Sequence, residues 1–267
     1  MNRAETASLT ELAIAVLQTA DAIGKARASQ AAAQRWRCEA LPVGRSAPPI
    51  RPARPAHPKL MLPRDMPKRG AAQTEAGRIA LLHALAHIEL NAVDLAWDIV
   101  ARFATVELPR GFFDDWVSVA DEEAKHFLLL SDRLADFGAR YGDLPAHDGL
   151  WQAAEATAHD LLARLAIVPL VLEARGLDVT PTMIERMTRF GDARTEAVLQ
   201  TIYHDEIGHV AIGSRWFHYL CERQGVAPRQ TWRTLVERHF KGALKPPFND
   251  IARTRAGLPR AYYAAGA

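Results

Sequence analysis

From residue 74 onward, apolar positions recur at intervals of three and four, and no alternating stretch is long enough for a sheet. That period predicts helix after helix. The first runs over 74–106 and stops before Pro109; the second covers 112–139. A third starts near Asp148 as N-cap and ends at Arg175–Gly176, and a short helix follows with Thr180 as cap and Pro181 at its first position. A fourth long helix begins near Asp192 and ends before Gly225. Another starts at Pro228, and Pro246–Pro247 opens a tail. Four long helices with short links predict an all-α helical bundle. Upstream, an amphipathic helix is expected over about 4–36.

Between these parts the pattern breaks. Half of the sixteen prolines fall at 42–67, from Pro42 to Pro67. Proline fixes φ and biases its predecessor away from helix, so this stretch is an extended arm. Two readings are open, a solvated linker or a strap bound along the body; Met61, Leu62 and Met66 favour the strap because they are apolar for free linker. The expected organisation is a helical segment at 1–41, the arm at 42–70, the bundle at 71–225, and a C-terminal helix with tail at 226–267.

Composition adds limits. The chain has 267 residues, 49% apolar and 24% charged, enough to bury a core without staples. Its two cysteines, Cys38 and Cys221, exclude a disulfide framework, a CxxC redox pair and a cysteine-based zinc ribbon. The net charge of +2 does not require a nucleic-acid partner. No run of about 18–20 consecutive apolar residues is present. Glu5 and Glu11 do not suit a signal peptide, so the expectation is a cytoplasmic protein with no membrane partner.

Two short motifs carry the chemistry. The second long helix holds Glu123-x-x-His126 and the fourth holds Glu206-x-x-His209. Residues three apart share a helix face, so each pair can reach one metal ion. The first long helix places Glu89 in a stripe with Leu82, Leu85, Ala86, Val93, Ala96 and Val100. The third places Glu173 beside Ala166, Pro169 and Leu170. Glu89 precedes Glu123 by 34 residues and Glu173 precedes Glu206 by 33, as if one helical hairpin had been duplicated. Four carboxylates in one core would repel and be costly to desolvate. Two divalent cations neutralise them, and two imidazoles complete the shell, a donor set suited to iron first and manganese second. Glu173 is expected in the last turn of its helix, where a cation would offset the helix dipole. Pro169 is expected to kink that helix and open room.

Other polar residues have simpler readings. Glu122 and Asp205 point away from their ligand neighbours and suit ion pairs. His83 and His87 share a face with Asp94 and Asp98, read as solvent or as support behind the ligands. His159 lies too far along its helix from Glu173, Tyr203 is a packing residue within reach of the site, and the six tryptophans are packing residues.

Seven strings carry a resemblance to a known family: RPARPAHPKLMLPRDMPKRG at 51–70, HALAHIELNAVDLAWD at 83–98, DEEAKHF at 121–127, YGDLPAHDGLW at 141–151, LEARGLDVTP at 172–181, DEIGHVAIGSRWF at 205–217 and PPFNDIARTRAG at 246–257. They resemble a bacterial ferritin-like family of unknown function, the DUF four-five-five group. That resemblance implies a ferritin-like fold and a diiron site, carried over to Glu89, Glu123, His126, Glu173, Glu206 and His209. More distantly the bundle looks like the diiron tRNA hydroxylase and the rubrerythrins. The chain departs from rubrerythrin in lacking a four-cysteine module, and from storage ferritins in its length, arm and tail.

Three functions follow as expectations. The first is an O2- or peroxide-activating diiron oxidoreductase or hydroxylase, supplied with electrons by an external donor because the chain has no redox cysteines. A small-molecule substrate is favoured over tRNA, and a homodimer is compatible. The second is a ferroxidase or iron-handling protein, fed by the acids Asp114, Asp115, Asp121 and Glu122. The third is a non-catalytic helical module in which metal is structural.

Overall fold

In the computed structural model, residues 7–67, 70 and 72–264 are described. The molecule is all-α: among the described residues the only strand-like pairing is an isolated bridge between Leu60 and Ala146. The chain forms two compact units, Met1–Asp148 and Gly149–Ala267. One Glu…Glu-x-x-His motif falls in each.

The first unit is a helical bundle. Its helices are α1 (Leu9–Gln18), α2 (Ala22–Cys38), α3 (Glu75–Arg102) and α4 (Arg110–Asp136). The single N-terminal helix expected from the pattern is two, and the expected start at Ala4 lies outside the described residues. Ser8 closes a capping box with Glu11 on α1. The chain turns at Thr19, and Asp21 then caps α2 by accepting from the Gly24 amide at 2.6 Å. Capping side chains at both starts outweigh the continuous apolar period between them.

α3 starts within a residue of the expected 74, with the Thr74 hydroxyl capping it by accepting from the Gly77 amide, and it ends at Arg102, short of the expected 106. α3 and α4 pack along their lengths, α1 lies on α3 and α2 on α4. α3 is long and apolar enough to cross a membrane by length and composition, but 67% of that stretch is buried, as in a core helix. All six tryptophans are buried, as expected. Trp97 donates to the Ser29 hydroxyl at 2.7 Å and Trp36 to the Asp114 carboxylate at 2.8 Å.

The proline arm is a strap on this unit. Ala53 N–H donates to the Leu17 carbonyl, and Met61 N–H to that of Ala146. Lys25 donates to the Ala53 carbonyl, and Arg102 to that of Pro49. Backbone and cations hold it; of the apolar residues that suggested a strap, Met61 and Met66 are half-buried and Leu62 is 50% exposed.

The second unit contains α5 (Gly149–Ala156), α6 (Leu161–Ile167), a π-helical segment (Val168–Glu173), α7 (Ala174–Phe190), α8 (Ala193–Gln224), α9 (Pro228–His239) and α10 (Asp250–Arg255). The expected third helix starts where predicted, at Gly149 after Asp148, but it breaks at 157–160 and does not end where expected. Asp160 caps a new start at α6, accepting from the Leu162 amide. At the other end the helix does not stop at Gly176, and Thr180–Pro181 is not a new start. α7 runs through both to Phe190. Glycine ends helices where φ turns positive; Gly191 does so at φ +69°, whereas Gly176 stays within the helix. α8 matches its predicted limits, with Asp192 accepting from the Thr195 amide and Gly225 in the left-handed region. α9 starts at Pro228 as expected.

Candidate metal centre

Glu89 lies near the middle of α3, and Glu123 and His126 lie one turn apart on α4. The link between these helices is short, so they form a hairpin and their middles meet. All three side chains are buried, Glu123 and His126 completely. His126 Nδ1 is 3.2 Å from Glu89 Oε2 and 3.3 Å from Glu123 Oε2. The three residues offer ligand atoms within 4.8 Å of one another.

This arrangement strains the carboxylates electrostatically. Burial pushes the Glu89 carboxyl well above the usual carboxylate range, and the neighbouring Glu123 charge pushes it further; the His126 contact acts the other way. Two acids held this close in a dry core must share protons or a cation. A divalent ion satisfies both, and the imidazole is a suitable third donor. The chemistry of this donor set thus fits a metal.

The second unit carries the matching set. α8 buries Leu199, Ile202, Glu206, His209, Val210, Gly213 and Phe217, so Glu206 and His209 face its core. Their side chains stand 3.7 Å apart. Glu173 closes the π-helical segment, which packs on α8, and is half-buried. It is not in a last turn: α7 continues directly from it, so the expected dipole argument for a cation at Glu173 falls. Pro169 does disrupt the helix. Lacking an N–H, it removes an α-type bond, and the turn widens to π geometry. Gly213 makes the space for it, since a Cβ there would fall 2.3 Å from the Pro169 Cβ. Glu206, like the residues of the first unit, is buried and offers a carboxylate that could hold a metal ion.

The face of α3 carrying His83, His87, Asp94 and Asp98 is buried, which corrects the solvent reading. α2 and the strap cover it at Asp94. Lys25, fully buried, reaches Asp94 at 2.5 Å, and Arg54 stands 3.1 Å from the same carboxylate while donating to Asn91 at 2.7 Å. Burial pushes Lys25 down and Asp94 up, and their mutual attraction opposes both shifts. Arg102 clasps Asp98.

His87 is fixed as the neutral ring. Its Nε2 bonds the His147 carbonyl at 3.0 Å, which can only accept, so the Tyr141 hydroxyl donates to Nδ1 at 2.8 Å. Burial holds its pKa down to about 4. His83 Nε2 accepts from the Gly142 amide at 2.9 Å, and burial lowers its pKa as well. Both imidazoles tie the 137–148 loop to α3 behind Glu89. The i, i+4 series His83, His87, Asn91 was a visible signal for a buried polar stripe. Its partners Lys25, Arg54 and Tyr141 carried no local sign.

The acids suggested as an iron entry path are engaged. Asp114 accepts from Trp36, and Asp121 pairs with Arg37 at 2.6 Å. Asp205 lies 3.6 Å from His204. His159 is exposed beside His239, away from ligand duty as expected. Tyr203 accepts a hydrogen bond from Asn249 at 2.9 Å.

A family model described as "Protein of unknown function (DUF455)" matches residues 18–264. An uncharacterized protein of Haemophilus influenzae is 45% identical over 209 residues, covering 76% of this chain and 72% of that protein. No solved structure matches significantly.

Proposed function

The chain belongs to the DUF455 family, and because that membership names no reaction, we propose from its buried ligands that it is a carboxylate-bridged di-metal oxidoreductase. The observation that carries this reading is the Glu89–His126–Glu123 cluster, three completely or nearly buried ligands on one hairpin. Its repetition as Glu173, Glu206 and His209 supports a second ion. Each triad would hold one ion. Iron fits first and manganese second. Once bound, such ions supply the one-electron chemistry needed to reduce dioxygen or peroxide while a substrate is oxidised.

The chain's own contribution is charge, placement and dryness. Glu89 and Glu123 would hold the cation, whose charge would take the place of the Glu89 proton and offset their mutual repulsion. His126 and His209 act as neutral donors. Leu82, Ala86, Leu90, Phe127 and Leu130, all fully buried on α3 and α4, keep water from the ligands. Cys38 is exposed at the end of α2 and Cys221 is buried with its thiol pushed up to about 11, so neither suits electron relay; a separate donor serves. A small molecule is the substrate class that best fits a dry site of this kind.

Metal analysis of protein purified under low oxygen tests the reading. The expected result is about two irons per chain, followed by O2 consumption only when a reductant is added. Continuous turnover of Fe2+ into mineral would shift the assignment to a ferroxidase. Tightly held redox-inert metal would make the site structural. A chain that takes up no metal would end the proposal.

A further inference from the structure

Pro181 sits inside α7, where it has no N–H to give the carbonyl four residues earlier, that of Leu177. An unmet carbonyl in a buried turn costs about 1–3 kcal/mol. Here the donor comes from the far end of the unit. Asn249 Nδ2 approaches the Leu177 carbonyl at 3.2 Å, and the same nitrogen approaches the Tyr203 hydroxyl at 2.9 Å. An amide nitrogen carries two hydrogens, so both bonds form at once. Asn249 Oδ1 meanwhile accepts from the Ala252 amide and caps α10.

The surrounding tail is fastened to the same turn. Asn249 N–H donates to Asp178, Arg253 clasps Asp178 through two bonds of 2.7 Å, and Arg175 donates to the carbonyls of Lys245 and Pro247. Asp178 and Arg253 are buried. Leu177 lies four residues after Glu173, and Tyr203 lies three before Glu206. The Asn249 amide therefore joins α7 to α8 about one turn from Glu173, just before α7, and from Glu206 on α8.

We propose that Asn249 is a positioning residue for the second half-site, holding the separation of Glu173 from Glu206 and His209 through Leu177 and Tyr203. The inference rests on the metal reading above. The 245–253 segment is then a clamp on the metal site and not merely a tail. Only asparagine meets all of its demands, because aspartate lacks the two donors and glutamine is a methylene too long.

Cobalt(II) titration of the full chain, followed by visible absorption and by urea unfolding, tests the clamp. Wild type should take up two ions. Asn249→Ala and Tyr203→Phe should each weaken one of them by about tenfold or more, the usual effect of losing an outer partner, and leave the other unchanged. Adding Pro181→Ala to Asn249→Ala restores a helix donor to Leu177. The double variant should regain stability without regaining affinity. If affinity returns along with stability, or if both single variants bind like wild type, the clamp is overturned while the metal reading stands. A wild-type chain that binds no cobalt overturns the metal reading, and the clamp falls with it.

Discussion

Gly213 and Pro169 fit each other as hole and knob: a Cβ on Gly213 would stand 2.3 Å from the Pro169 Cβ and 2.5 Å from its Cγ. Proline rings cannot swing aside, so Gly213→Ala must move the π-helical segment off α8. Overpacking of this kind costs about 1–3 kcal/mol, more than the roughly 1 kcal/mol that alanine returns in helix propensity. Denaturant unfolding should show a net loss of stability. A variant as stable as wild type would mean that the two helices slide freely past each other.

Removing one ligand should separate the two half-sites. His126→Ala is expected to lose the ion held with Glu89 and Glu123, and His209→Ala the ion held with Glu206. Elemental analysis reads the result as about one ion retained in each variant. Full metal content in either would remove that histidine from the ligand set.

Lys25 is buried against Asp94 and beneath the strap. Taking one partner from a buried pair costs about 3–5 kcal/mol because the other charge stays behind; Arg54 supplies part of the loss here. Lys25→Met should therefore lower stability by about 3 kcal/mol, whereas Lys25→Met with Asp94→Leu should recover most of it. Urea curves for the three proteins decide the matter. The strap should also become open to proteases in the single variant.

Two buried groups give the metal-free protein opposing pH slopes. The Glu89 carboxyl is raised, so the folded chain keeps a proton that the unfolded chain loses. Stability falls as pH climbs from the ordinary glutamate range toward the folded value. His87 is lowered to about 4, so the unfolded chain takes a proton first, and stability falls as pH drops from the ordinary histidine value toward 4. Glu89→Gln should reduce the alkaline-side loss, and His87→Gln should reduce the acid-side loss. Loading metal at neutral pH should release protons, visible as a buffer-dependent heat in calorimetry.

How much of this was legible along the chain follows from the range of each force. Thr74, Asp192 and Gly225 marked their helix ends because a cap is satisfied within four residues, and Pro228 because proline's fixed φ suits the first helical position. Glu-x-x-His announced itself for the same reason, being a property of one helix turn. Burial of the π segment against Gly213 had no such signature, since a proline looks alike whether it ends a helix or widens it.

The amino-acid order by itself determined an all-α chain, two repeated ligand motifs and an arm that could not be helix, because hydrophobic period, capping and proline geometry act over a few residues. Folding decided the rest. Gly176 and Pro181 read as a stop and a start, yet α7 passes through both, with a side chain 72 residues away from Leu177 meeting its carbonyl. His83, His87, Asp94 and Asp98 read as facing water or backing the ligands; all four are buried, the histidines against the 137–148 loop and Asp94 against Lys25 of α2 and Arg54 of the strap. A polar group is satisfied by whatever the fold brings within about 3 Å, and that distance in space has no fixed counterpart in sequence.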